Sequence, residues 1–211
     1  DGYDPSLWRR ILAVDLGSST RSKTTAFVLL TWHPYCDVTY AERAWCESGM
    51  VPSRLAEVIE GFVEGDPEIT VVMDEGALGH SFGNEMRNRH QFPVIAAEKR
   101  DKAGARRLIN GALEQRKLLL VSGQCEPLRK ELQELVYDKR GMDAAPGLPD
   151  HATDALLYGW RMSRAHAAEA APPKPPPPLS PEWHVQRERE ALEREMQEAR
   201  RRASPEGYVR W

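Results

Sequence analysis

The segments Ile11-Leu12-Ala13-Val14-Asp15-Leu16-Gly17 and Ile69-Thr70-Val71-Val72-Met73-Asp74-Glu75-Gly76 share one pattern. A short, almost continuous apolar run stops at an aspartate and gives way to small or flexible residues. Runs of this length suit strands covered on both faces. If the two strands are parallel neighbours, about 4.8 Å apart, their carboxylates stand together at the carboxyl edge of a sheet, where open α/β sheets bind ligands. Two anions so close share either a proton or a divalent cation, and hard oxygen donors favour magnesium or manganese. Aspartate also forms turns after strands, so either ending alone says little and the pair says more.

Working outward, residues 24–31 and 37–45 have strand character, and with the first run they predict an antiparallel meander. Residues 51–64 carry Leu55, Val58, Ile59 and Phe62 at helical spacing. Helices are then expected over 81–90, 102–115 and 127–136, alternating with strands at 93–97 and 118–121. This order predicts the α/β class, a mixed β-sheet flanked by helices on both faces, with no internal repeat. A last helix begins in Leu148-Pro149-Asp150-His151-Ala152-Thr153-Asp154-Ala155-Leu156-Leu157 and runs to Trp160. His151 and Asp154 are three apart and share a face of its first turn. Asp150, after a proline, stands where an N-cap stands. Asp154, beside a small alanine and ahead of a buried Leu-Leu pair, can point at the sheet edge.

Composition narrows the class. The 211 residues hold 29 Lys+Arg against 32 Asp+Glu, a formal net charge of −3, with 41% apolar and 29% charged residues. That balance belongs to soluble globular proteins and excludes collagen-like and wholly disordered chains. The longest uncharged apolar stretch, residues 24–35, is too short for a membrane-spanning helix of about 20 residues, and no secretory signal opens the chain. Cys36, Cys46 and Cys125 are odd in number and widely spaced, unlike zinc ligands or redox dithiols, and fit a reducing compartment. Charge is unevenly spread: residues 87–117 carry nine basic residues and three acidic ones, a local 9 − 3 = +6. Such a stretch either neutralises phosphates or forms a solvated face.

At Pro172 the composition changes to a run of prolines ending at Pro181, an extended spacer of about 30 Å if it adopts a polyproline helix. Three regions are therefore expected: a folded domain over 1–168, a proline-rich linker over 169–181 and a charged tail over 182–211 that forms a marginal helix.

The ordered set of Asp15, Asp74 and the Asp150-His151-x-x-Asp154-Ala155 helix, with Glu98-Lys99-Arg100-Asp101-Lys102 between them, resembles the C-terminal nuclease domain of the large terminase subunit of tailed phages, an RNase H-like fold. The resemblance covers about residues 8–166. It implies a metal-dependent endonuclease cutting double-stranded DNA during viral genome packaging, in which Asp15, Asp74 and Asp154 bind two Mg2+ or Mn2+ ions. It makes His151 an accessory ligand or proton carrier and gives Asp150 a place near the metals. It assigns DNA contacts to Lys99, Arg100, Lys102 and Arg106. Glu75 beside Asp74 leaves open which of the two faces the metals. The implied partners are DNA, the portal protein, the capsid and the small terminase subunit, in the host cell cytoplasm during virus assembly and without a membrane. No Gly-x-x-x-x-Gly-Lys-Ser/Thr loop occurs, so the packaging ATPase is expected outside this chain, which starts at Asp1 rather than at methionine.

Three other readings stay open. Junction resolvases and transposase cores share such an acidic site. Val14-Asp15-Leu16-Gly17-Ser18-Ser19-Thr20 also resembles the first phosphate loop of the sugar kinase, actin and Hsp70 ATPases, although their two lobes fit poorly in about 170 residues. The third is a docking module that keeps only the fold. Nothing in the sequence resembles a recognition helix or a zinc finger that reads a DNA groove.

Overall fold

The computed structural model describes residues 5–17, 24–66, 69–76, 79–136, 145 and 148–163, together with 179–181, 183–185, 187, 188 and 191. Contacts divide the chain into two units, Asp1–Ala170 and Ala171–Trp211. All but the end of the expected proline linker, and most of the expected tail helix, lie outside the described residues.

The first unit is built on six strands in the order β5-β4-β1-β2-β3-β6. Strands β1 (Arg9–Asp15), β2 (Thr24–Trp32) and β3 (Thr39–Ser48) form the expected antiparallel meander. Helix α1 (Pro52–Val63) leads to β4 (Thr70–Met73), which lies parallel to β1 on its other side. Helix α2 (Gly79–Arg89) leads to the edge strand β5 (Val94–Ala96), and α3 (Lys102–Glu114) to β6 (Leu118–Leu120), which pairs in parallel with β3 at the opposite edge. Helices α4 (Glu126–Glu134) and α5 (His151–Ser163) complete the unit.

Strand alternation divides the apolar residues into two cores. Leu12, Val14, Phe27, Leu29, Val71 and Met73 point to one face, where Leu55, Ile59 and Phe62 of α1 and Met86 of α2 cover them. Ile11, Ala13, Ala26, Val28, Leu30 and Val72 point to the other, under α5 and the apolar sides of α3 and α4. Helix α5 is buried nearly all round, from Ala152 to Trp160. Gly159 makes that seat possible: a Cβ there would lie 3.0 Å from Leu30 Cδ1 and 3.1 Å from the Ala13 Cβ. The close approach brings the first turn of α5 to the carboxyl end of β1.

Candidate functional site

Strands β1 and β4 run side by side with Val14 opposite Met73, and the Asp74 amide donates to the Val14 carbonyl at 3.1 Å. One step further along each chain stand Asp15 and Asp74. Alternation puts both on the face of Ile11, Ala13 and Val72, toward α5. Glu75, one residue on, turns to the opposite face and pairs with Arg87 of α2, with His80 Nδ1 3.9 Å away. Asp74 therefore lies on the side of Asp15, and Glu75 does not.

Each carboxylate meets a cationic or ring nitrogen from elsewhere in the chain. His151 Nδ1 lies 2.8 Å from Asp15 Oδ2. Lys99 Nζ pairs with Asp74 Oδ1, which also accepts from the Gly76 amide at 2.7 Å. On Asp154, Lys102 Nζ donates to Oδ2 at 2.6 Å and an Arg106 guanidinium nitrogen to Oδ1 at 3.3 Å. The basic turn and helix expected to face DNA thus aim largely inward. Arg106 is buried, Lys102 is partly so, and Lys99 keeps 44% of its side-chain surface exposed. Arg100 alone of the four stands out in solvent, paired with Glu98 at 3.0 Å. The Arg100 hydrogen bonds hold the Glu98 carboxyl down at about 2.

The electrostatics register the crowding. Burial pushes the Asp15 carboxyl above its ordinary value; the charges of Asp154 and Asp74 push the same way, against the bond to His151. That bond to Asp15 raises the His151 imidazole. Burial raises Asp150 too, with the Asp154 charge adding to it. Tyr158, one turn below Asp154 and buried, is pushed far up by burial and then by Asp154, Asp15, Asp74 and Asp150. The Lys102 ammonium lies 5.6 Å from the centre of its ring.

The first turn of α5 has a support that sequence reasoning missed. Glu131 of α4 accepts from the Thr153 amide at 2.9 Å, from its hydroxyl at 3.2 Å, and from the Ala152 amide. An N-cap side chain normally fills that place; here it comes from a neighbouring helix, while Asp150 contributes its carbonyl to Asp154 N at 2.8 Å. A signal was present: Glu131 follows Leu128 by three and precedes Leu132, a charge on the apolar face of its helix. Cys46 of β3 is a partly buried thiol that burial pushes up to about 12.

Among the described residues, no group of three or more His, Cys, Asp or Glu side chains is arranged closely enough to hold a metal ion as it stands. The chemistry of the donors nonetheless suits hard divalent cations: they are carboxylate oxygens, from β1, from the end of β4 and from α5, and positive groups already lie against those of Asp74 and Asp154. Among the described residues, no helix is long and apolar enough to cross a membrane. Asp74-Glu75-Gly76 repeats the Asp-x-Gly of the first strand ending.

The P22 large terminase nuclease domain has a similar structure, with a TM-score of 0.61 and 20% identity over 77% of this chain and 84% of that one. The nuclease domain of the SPP1 bacteriophage large terminase g2p, solved with bound Mn, gives a TM-score of 0.57 at 16% identity over 74% and 86%. The large terminase of a thermophilic bacteriophage, in complex with ATP-γ-S, gives 0.57 at 21% identity, covering 71% of this chain but only 38% of that longer one. At these identities the likeness is one of fold. No curated protein matches by sequence. The model of the terminase RNaseH-like domain family matches residues 12–162, from the first strand through the last helix. The chain therefore belongs to the terminase RNase H-like domain family.

Proposed function

We propose that this domain is a metal-dependent endonuclease that cuts double-stranded DNA during viral genome packaging, with Asp15, Asp74 and Asp154 holding two Mg2+ or Mn2+ ions. The observation that carries the reading is the meeting, at one sheet edge, of carboxylates from β1, from the end of β4 and from the first turn of α5. The SPP1 relative with bound Mn supports the choice of ion.

Bound there, the ions supply the charge that activates water and neutralises the phosphate during phosphodiester hydrolysis. The chain's own residues do the rest. Asp15 and Asp74 are fixed by strand register, and Asp154 by the buried Arg106 behind it. His151 orients Asp15 through Nδ1 and stands ready to ligate or to carry a proton, while Asp150 lies beside them. Arg100, exposed, and Lys99, partly so, are placed to meet flanking phosphates. Arg106 is too buried for that and acts as a positioning residue.

Cleavage of supercoiled plasmid tests the reading. Wild type with Mn2+ converts it to nicked and linear forms, and Asp15→Ala, Asp74→Ala and Asp154→Ala do not; any of the three cutting at the wild-type rate is misassigned. His151→Ala is milder, because water can replace a fourth ligand. The partners implied by the family are the portal, the capsid and the small terminase subunit, met in the host cytoplasm. Residues 182–211 balance seven basic against seven acidic residues and include Trp183, a composition suited to a helix that orders on a protein partner rather than on DNA. Truncation after Ala171 is expected to leave plasmid cleavage intact and to abolish packaging in a reconstituted reaction; normal packaging by the truncated protein would remove the docking role.

A further inference from the structure

We infer that Lys99 and Lys102 are tethered competitors of the metal ions: their ammonium groups occupy the carboxylate oxygens of Asp74 and Asp154 and must leave for metal to bind. The inference rests on the metal-binding reading above and adds to it a part for two residues of this chain that otherwise pass for DNA contacts.

Three observations carry it. The first is placement: Lys99 Nζ lies on Asp74 Oδ1, and Lys102 Nζ lies 2.6 Å from Asp154 Oδ2. The second is a glycine that keeps the meeting place clear. A Cβ at Gly76 would come within 2.9 Å of Lys99 Nζ and 3.1 Å of Asp74 Oδ1, so the turn after β4 leaves room for ammonium and carboxylate together. The third is graded burial. The Arg106 side chain keeps 9% of its surface exposed and belongs to the permanent frame of Asp154; Lys102 keeps 24% and Lys99 44%, on flexible stems that can swing into solvent.

The physical reason for such an arrangement is the charge of the empty cluster. Carboxylates gathered at a sheet edge repel one another, and a buried anion without a partner is costly. The two lysines flank Asp101, whose side chain caps α3 by accepting from Gly104 N at 3.0 Å, so both are delivered to the carboxylates by one capped turn. They stabilise the metal-free protein and, by the same contact, weaken its first hold on metal. Divalent cations displace them because each brings twice the charge to the same oxygens. Affinity for metal is therefore set partly by how firmly each lysine is held, and Lys102, less exposed and lying over the Tyr158 ring, is the harder of the two to displace.

Calorimetric titration of the full chain with Mn2+ alone, without DNA, tests this, with the rise in melting temperature on adding Mn2+ as a second readout. Lys99→Met and Lys102→Met are each expected to bind Mn2+ about twofold to fivefold more tightly than wild type, the range that loss of a partly exposed ion pair allows. Their melting temperatures should fall without metal and rise more on its addition. Lys117→Met removes the same charge from a pair with Asp37 at the far side of α3 and should leave the affinity unchanged. Wild type that binds Mn2+ while both lysine variants bind equally or more weakly overturns the competition and leaves the metal site standing. Failure of wild type and both variants to bind Mn2+ at all overturns the metal site, and the competition with it.

Discussion

Replacing Glu131 tests whether one buried carboxylate on α4 holds the first turn of α5 in place. Glu131→Ala leaves two amides of that turn, Ala152 and Thr153, without their acceptor in a buried setting. Loss of an N-cap costs about 0.5–2 kcal/mol, and each buried donor left unpaired costs about 1–3 kcal/mol. Against this stands the burial of Glu131 itself, which raises its carboxyl above the ordinary value and shows that the charged form is held at a cost. The net expectation is a loss of about 2 kcal/mol, or about 4–8 °C in melting temperature for a unit of this size. Glu131→Gln keeps an acceptor, loses the charge and should stay within about 1 kcal/mol of wild type. The pH dependence has a definite sign. Between the ordinary value near 4.5 and the raised one, the folded protein keeps a proton that the unfolded chain has lost, so this group lowers stability as pH rises through that window. Glu131→Gln lacks that slope and should gain on wild type as pH climbs from about 4.5 through that window. Circular dichroism melts over that range give both numbers, and plasmid cleavage should fall about tenfold or more in Glu131→Ala because His151 and Asp154 ride on the loosened turn. A Glu131→Ala protein that melts within 1 °C or so of wild type would refute the bracing role.

Asp154→Ala strips the buried Arg106 and Lys102 of their shared carboxylate and should cost about 3 kcal/mol in a urea melt. Asp15→Asn removes a charge held against burial and two neighbouring carboxylates and should raise the metal-free melting temperature; a fall of several degrees would contradict that balance. Gly159→Ala gains about 1 kcal/mol of helix propensity but forces a methyl to within 3.0 Å of Leu30, and the overpacking, about 1–3 kcal/mol, should leave it less stable in the same melt. The triple replacement of Lys99, Arg100 and Lys102 should weaken DNA binding for all sequences and flatten its salt dependence in the presence of Ca2+, with Arg100 contributing most; an unchanged slope would move DNA to another side of the site.

Strands and helices were legible because each segment's periodicity agrees with its place. The apolar runs of β1 and β4 are central strands covered on both faces, and 102–115 has the one-sided pattern of α3. The facing of Asp74 was within reach too: in a parallel pair two strands that both end in aspartate present those aspartates to the same side, and the next residue, Glu75, to the other. What local pattern cannot supply is the partner across the fold. Lys99, Lys102 and Arg106 read as a basic surface because their spacing defines a face and not what lies opposite it, and 52 residues separate Lys102 from Asp154. Glu131 was hidden for the same reason. Its spacing places it toward the interior, but the amides it serves belong to a helix 22 residues further on.

The bond between His151 and Asp15 closes a loop of 136 residues. Contacts of such separation pay their chain-closure entropy late and form only when the intervening elements have found their places. During synthesis the meander and β4 emerge and can pair well before α5 is made, holding two of the three carboxylates but not the third. A nascent or C-terminally clipped chain therefore lacks one part of the proposed site, which is complete only after the last core helix has docked.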